Sequence, residues 1–206
     1  YYAVTGAAGD TLARADGLQC TTIRYQGETS RSITEPVCLN EDATAQILNL
    51  DYFSEWREDG VIISNPLGTR AIRRHYDVTP FPHRQVAREA FLAGNDILYL
   101  SDFGPDPGSG QLDNVTDVIR FFAERYRDDP VFRSRVDHSL YRILQLKLSL
   151  YNGDISHKNV MLPVNDINAV GGYGADLYTI AEQAVTLLAP RRESLLSPPD
   201  RNDNIV

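Results

Sequence analysis

The sequence predicts an α/β fold: a parallel sheet covered by helices, and only part of a larger unit. Three observations carry that prediction. Short apolar runs alternate with segments of helical periodicity. The runs are apolar throughout and not two-sided, as strands buried on both faces require. Only three such runs are visible, too few for a closed eight-stranded barrel.

The first run, Gly17 to Tyr25 (GLQCTTIRY), follows a Gly/Ala-rich helical approach. Gln26 to Asn40 is polar, contains Pro36 and reads as a long loop. From Glu41 to Glu58, Ile47, Leu48, Phe53 and Trp56 recur at helical spacing, with Asp51 placed to cap a second helix. Val61-Ile62-Ile63 follows Gly60 as a buried strand ending at Ser64-Asn65-Pro66. A loop leads to a helix over Pro82–Ala93, stopped by Gly94. Ile97-Leu98-Tyr99-Leu100 is the third buried strand, ending at Ser101-Asp102. A Gly/Pro-rich loop, Phe103 to Gln111, precedes two amphipathic helices. They cover Leu112–Tyr126 and Pro130–Leu150, the latter with a stripe of Val136, Leu140, Ile143, Leu144 and Lys147. Asn152 to Gly174 is linker-like, Ala175–Leu188 is a last helix, and the Pro190–Asn204 tail is polar.

Composition narrows the function. Twenty basic against 28 acidic residues give a net charge of −8, which repels phosphate backbones and argues against nucleic acid. No apolar run approaches membrane-spanning length. The chain opens on Tyr1, so it reads as a processed or trimmed piece. Its location stays open, with secretion or the cell envelope favoured over the cytoplasm. Asn114-Val115-Thr116 is a glycosylation sequon, relevant only in a secreted protein. Cys20 and Cys38 lack metal-like spacing and read as buried free thiols, with no disulfide indicated. His75, His83, His138 and His157 are scattered without ligand spacing, so no metal and no cofactor is expected.

In parallel α/β sheets, chemistry gathers at the carboxyl ends of strands. Three places qualify here: Thr22–Gln26, Ser64–Gly68 and Ser101–Phe103. The middle one opens the motif GVIISNPLGTRAI, Gly60 to Ile72. Ala93-Gly94-Asn95-Asp96-Ile97-Leu98 follows it, GLQCTTIRYQG precedes it, and Gln145-Leu146-Lys147 lies in the last long helix. In order and spacing these four segments resemble the C-terminal part of the catalytic barrel of glycoside hydrolase family 3, over roughly Asp16 to Leu150. The helix carrying AEQAVTLL resembles the entry to that family's second domain.

The resemblance implies a partial TIM (β/α)8 barrel over residues 1–150: the last three strands and their helices. Residues 151–206 would be a linker and helix leading toward a second domain. It implies retaining hydrolysis of β-linked sugars such as β-glucosides or N-acetyl-β-hexosaminides. In that chemistry a carboxylate attacks the anomeric carbon and a separate acid/base group serves the leaving oxygen. The nucleophile's position falls on Asn65, and a neutral amide cannot do this work. An engineered dead variant, a natural non-catalytic homologue and a misaligned motif all remain open. Thr22, where the family often places His or Tyr, Arg24 and Tyr25 would line the cleft together with Asp102. For Asp102, helix capping or a loop hydrogen bond is the plainer reading. Asp96, at the bottom of its strand, reads as structural, and Arg73-Arg74-His75 as a solvated helix end. The family's earlier strands, which hold the sugar, would precede Tyr1. The chain alone is therefore expected to be inactive and to need a missing barrel half or partner chain. The alternative is a non-catalytic carbohydrate-binding or scaffolding homologue.

Overall fold

The structure, a computed structural model, describes residues 2–7, 14–24, 35–161 and 174–184. The chain divides into two compact units, Tyr1–Ile155 and Ser156–Val206.

In the first unit, helix α1 (Tyr2–Thr5) precedes strand β1 (Gly17–Gln19), a 3-10 turn (Val37–Leu39) and helices α2 (Glu41–Leu48) and α3 (Phe53–Trp56). Strand β2 (Val61–Ile63) follows, then α4 (Arg70–Tyr76), α5 (His83–Leu92), α6 (Leu112–Asp128) and α7 (Pro130–Leu150). In the second unit, the described helices are α8 (His157–Val160) and α9 (Gly174–Ala184).

β1 and β2 are parallel, with Gly17 opposite Val61 and Gln19 opposite Ile63. On the other side of β2, Ile63 bridges Ile97, again in parallel. Past the bridge the two segments stay joined: Ser64 N–H donates to Ile97 O (2.9 Å), Leu67 N–H to Tyr99 O (3.0 Å) and Gly68 N–H to Ser101 O (3.0 Å). β2 therefore lies between β1 and the segment 97–101. The regular ladder is shorter than the apolar runs suggest. Cys20 to Arg24 leaves it after Cys20 N–H donates to Ile63 O (2.8 Å), and pairs instead with residues 37–38.

Local chemistry explains three of the helix boundaries. Asn40 caps α2 by accepting from the Ala43 N–H (2.7 Å), with Glu41 and Asp42 in the first turn. Asp129 caps α7 by accepting from the Val131 and Phe132 N–H groups, with Pro130 at the first helical position. Gly94, at φ 108°, follows the end of α5 in a conformation that side chains resist.

One core lies between the strand layer and α4–α6: Leu67, Ile72, Phe81, Val86, Ala90, Phe103 and Val118. A second gathers Phe53, Trp56 and Ile62, with Leu18, Ile47 and Leu48 against them. Phe122 meets Phe91 and Phe132 edgewise, Phe91 and Phe132 meet at a tilt, and the three rings, with centroids 5.1–5.3 Å apart, join α5, α6 and α7.

Four expectations need correction. The second helix of the 41–58 region is capped by Tyr52, not Asp51, and Tyr52 turns the chain at φ 72°. The stretch after Asn65 is not all loop, since it contains α4. Ile97–Leu100 is not buried on both sides: Ile97 is 37% and Tyr99 49% exposed. Those two side chains face away from the helix layer, and no described strand lies beyond them. Finally, α7 buries its apolar stripe only in part. Val136 and Ile143 are half-buried but Leu140 and Leu144 are exposed, while Phe132 and Ser139 are buried and Arg135 and Arg142 half-buried. Pairing of those two arginines with Asp96 turns the helix that way.

Candidate functional site

Asn65 lies two residues beyond Ile63, so by strand alternation it shares the face of Ile97 and Tyr99. Ser64, between them, is fully buried on the helix side, where its Oγ accepts the Tyr99 N–H (2.8 Å). Asn65 itself is half-buried.

The neighbouring strand ends flank it. Thr22 is half-buried and Arg24 exposed on the extended segment after β1. The Thr21 hydroxyl and the Val37 N–H hold that segment through Ile23, at 3.3 and 3.0 Å. Tyr25 lies outside the described residues. On the far side Asp102 is exposed in the left-handed region at φ 53°. It caps no helix: α6 begins ten residues later, after Gln111. The loop is instead tied by Phe103, whose N–H donates to Gln111 Oε1 (3.2 Å) and whose O accepts from Asn114 Nδ2 (2.8 Å).

Gly68 is the close-approach residue of this rim. A Cβ there would lie 2.1 Å from the Asp102 carbonyl oxygen and 2.4 Å from that of Ser101. Because both clashing atoms are backbone, Gly68→Ala is expected to push the two strand ends apart. The expected cost is about 1–3 kcal/mol, with faster hydrogen exchange at the Leu67 and Gly68 amides. Unchanged exchange at both would show that the added methyl is accommodated without parting the ends.

Arg73 is not the solvated residue that its sequence neighbourhood suggests. It donates to the carbonyls of Gly68 (2.9 Å), Asp102, Gly104 (2.8 Å) and Pro105 (3.4 Å), and lies 4.2 Å over the Phe81 ring. It fastens the loop after the third strand segment to α4. Around it opens a cavity of about 620 Å³, lined by Gly68, Arg70, Arg74, Phe81 and Asp102 among others. Asp102 is thus brought into a concave surface, whereas Asn65, Thr22 and Arg24 do not line that cavity.

The strongest ionic assembly lies at the opposite end of the strand layer. Asp96 is buried, and its carboxylate pairs with Arg57, Arg135 and Arg142. It also accepts from Ser139 Oγ (2.6 Å) and the Ile62 N–H (3.0 Å). Burial acts to raise its pKa. Hydrogen bonds from Arg57, Arg142 and Ser139, with the charge of Arg57, outweigh this and hold it well below the usual carboxylate range. Burial likewise holds Arg135 below its ordinary value, with Arg57 and Arg142 reinforcing the effect and Asp96 opposing it. The structural reading of Asp96 needs no chemistry, but its partners escape apolar pattern-seeking. A polar signal exists: Arg135, Ser139 and Arg142 recur at helical spacing.

Among the described residues, no three or more His, Cys, Asp or Glu are grouped to hold a metal ion. None of the described helices is long and apolar enough to cross a membrane. No protein-family model, no curated protein and no solved structure matches the chain.

Proposed function

We propose that this chain supplies three neighbouring strands of a glycoside-hydrolase-family-3-like barrel, and that its rim binds a β-linked sugar without cleaving it. The observation that supports this most is the placement of Asn65. It sits at the carboxyl end of the middle of three parallel segments, flanked by Thr22 and Arg24 on one side and Ser101 and Asp102 on the other. The layer has helices on one face and leaves Gln19, Ile97 and Tyr99 exposed on the other, which suits the interior of a barrel. In this reading a further segment or a partner chain covers that interior and brings the rest of the sugar site.

Asn65 defines the chemistry. Its amide keeps the shape of a carboxylate and can hydrogen-bond a sugar hydroxyl, but it offers neither the charge nor the nucleophilic oxygen that a glycosyl-enzyme requires. Binding therefore outlives hydrolysis.

The test measures binding of β-linked oligosaccharides, and turnover of nitrophenyl β-glycosides, by the chain combined with the strands that complete a barrel. Binding without turnover is expected, and Asn65→Ala should weaken it. Asn65→Asp should raise turnover on the order of 10³-fold above the background of the unaltered chain. If no β-linked saccharide binds and the aspartate variant stays silent, the carbohydrate reading is wrong.

A further inference from the structure

The two cysteines are far apart in sequence and adjacent in space. Cys20 continues β1, where its N–H donates to Ile63 O (2.8 Å). The segment then turns its next carbonyls to the 3-10 turn: Cys38 N–H donates to Thr21 O (3.1 Å) and Val37 N–H to Ile23 O (3.0 Å). This antiparallel register sets residue 38 beside residues 20–21 and so brings the two cysteines to one place in the fold. Both cysteines are free thiols.

The environments of the pair differ. Cys38 is fully buried, and the adjacent Cys20 together with burial pushes its thiol up. Cys20 is half-buried, and the adjacent Cys38 lowers its pKa against the opposing effect of burial. Cys20 is thus the more accessible sulfur and Cys38 lies beside it out of reach of solvent, as a two-step exchange requires.

We propose that Cys20 and Cys38 are a reversible redox pair that closes to a disulfide, with Cys20 reacting first and Cys38 resolving. The oxidant is a small-molecule disulfide such as oxidised glutathione. The Cys20 thiolate attacks one of its sulfurs, the S–S bond breaks, and one small thiolate leaves. Cys38 then loses its proton, attacks Cys20 Sγ in the mixed disulfide and releases the second small thiol. Two protein thiols are oxidised while one small disulfide is reduced to two thiols. The new bond ties the end of β1 to the 3-10 turn. This inference is independent of any sugar.

The test equilibrates the full chain across a series of oxidised-to-reduced glutathione ratios, alkylates it after denaturation and weighs it intact. An unalkylated species two hydrogens lighter is expected, whose digest contains the Cys20 peptide joined to the Cys38 peptide. Its thermal midpoint should exceed that of the reduced chain by roughly 5 °C or more. Cys38→Ser should halt at a glutathione adduct on Cys20, and Cys20→Ser should react at least about tenfold more slowly. The proposal is overturned if the unaltered chain alkylates twice at every ratio, keeps glutathione on Cys20 without internal closure, or links only between chains.

Discussion

Replacing Asp96 with asparagine should cost this protein about 3–5 kcal/mol of stability, enough to unfold a marginal domain. The Asp96 carboxylate faces three guanidiniums, those of Arg57, Arg135 and Arg142, and its own side chain is fully shielded from solvent. Removing the charge leaves those cations partly desolvated and facing one another. It also replaces an acceptor by an amide whose N–H groups point at donors. The assembly spans the fold: Arg57 follows α3, Ile62 is in β2, Asp96 precedes the third strand segment, and the other two arginines lie on α7. Urea unfolding at neutral pH measures the loss. A change under about 1 kcal/mol would mean that water or rearrangement satisfies the arginines.

The same group gives a pH signature. Because the folded pKa of Asp96 is depressed, its stabilisation is complete above the unfolded carboxylate value, ~3.9, and declines as pH falls toward the folded value. The gap between the native chain and Asp96→Asn should therefore be constant from neutral pH down to about 5 and narrow below about 4. A gap that narrows between neutrality and pH 5 would point to another titrating group.

Trp56→Ala is expected to cost a similar amount, about 3–5 kcal/mol. Trp56 is 1% exposed and packs edgewise on Phe53, with centroids 6.1 Å apart. Its indole N–H donates to Ala15 O (2.7 Å), which fixes the entry to β1. Its ring also fills the space above Gly60, where a Cβ would lie 2.4 Å away. One side chain thus holds the starts of both strands in register. Trp56→Phe keeps much of the packing and loses the hydrogen bond, so it should cost about half as much or less. Far-UV circular dichroism follows both variants, since Trp56 is the sole tryptophan and fluorescence is lost with it. Equal losses in the two variants would place the effect in the hydrogen bond and not in the buried volume.

These two sites differ in how far the sequence announces them. Trp56 belongs to an apolar helical pattern and sits four residues before a strand-opening glycine, so its burial is legible from spacing. The partners of Asp96 are not, because they come from the residue after α3, the backbone of β2 and polar side chains of α7. On α7 the apolar pattern selects a face that is only partly buried. Leu140 and Leu144 fit a buried stripe, yet the helix turns Arg135, Ser139 and Arg142 inward, since an unpaired buried Asp96 would cost more than two exposed leucines.

The candidate site divides along the same line. That Asn65 ends an apolar strand, and that Ser101-Asp102 ends another, follows from local pattern alone, because strand burial and the polar residues that end it are short-range properties. That these ends are neighbours was decided by hydrogen bonds between segments more than thirty residues apart. The staple made by Arg73, the Gly68 approach and the meeting of Cys20 with Cys38 arise the same way. The sequence by itself determined the apolar runs of the two paired strands, the helical periodicity between them and the amide at position 65, whereas the helix start it placed at Asp51 falls at Tyr52. Only the tertiary structure decided which face each helix presents and which side chains share a rim, because pairing across chain distance depends on where buried charges find partners.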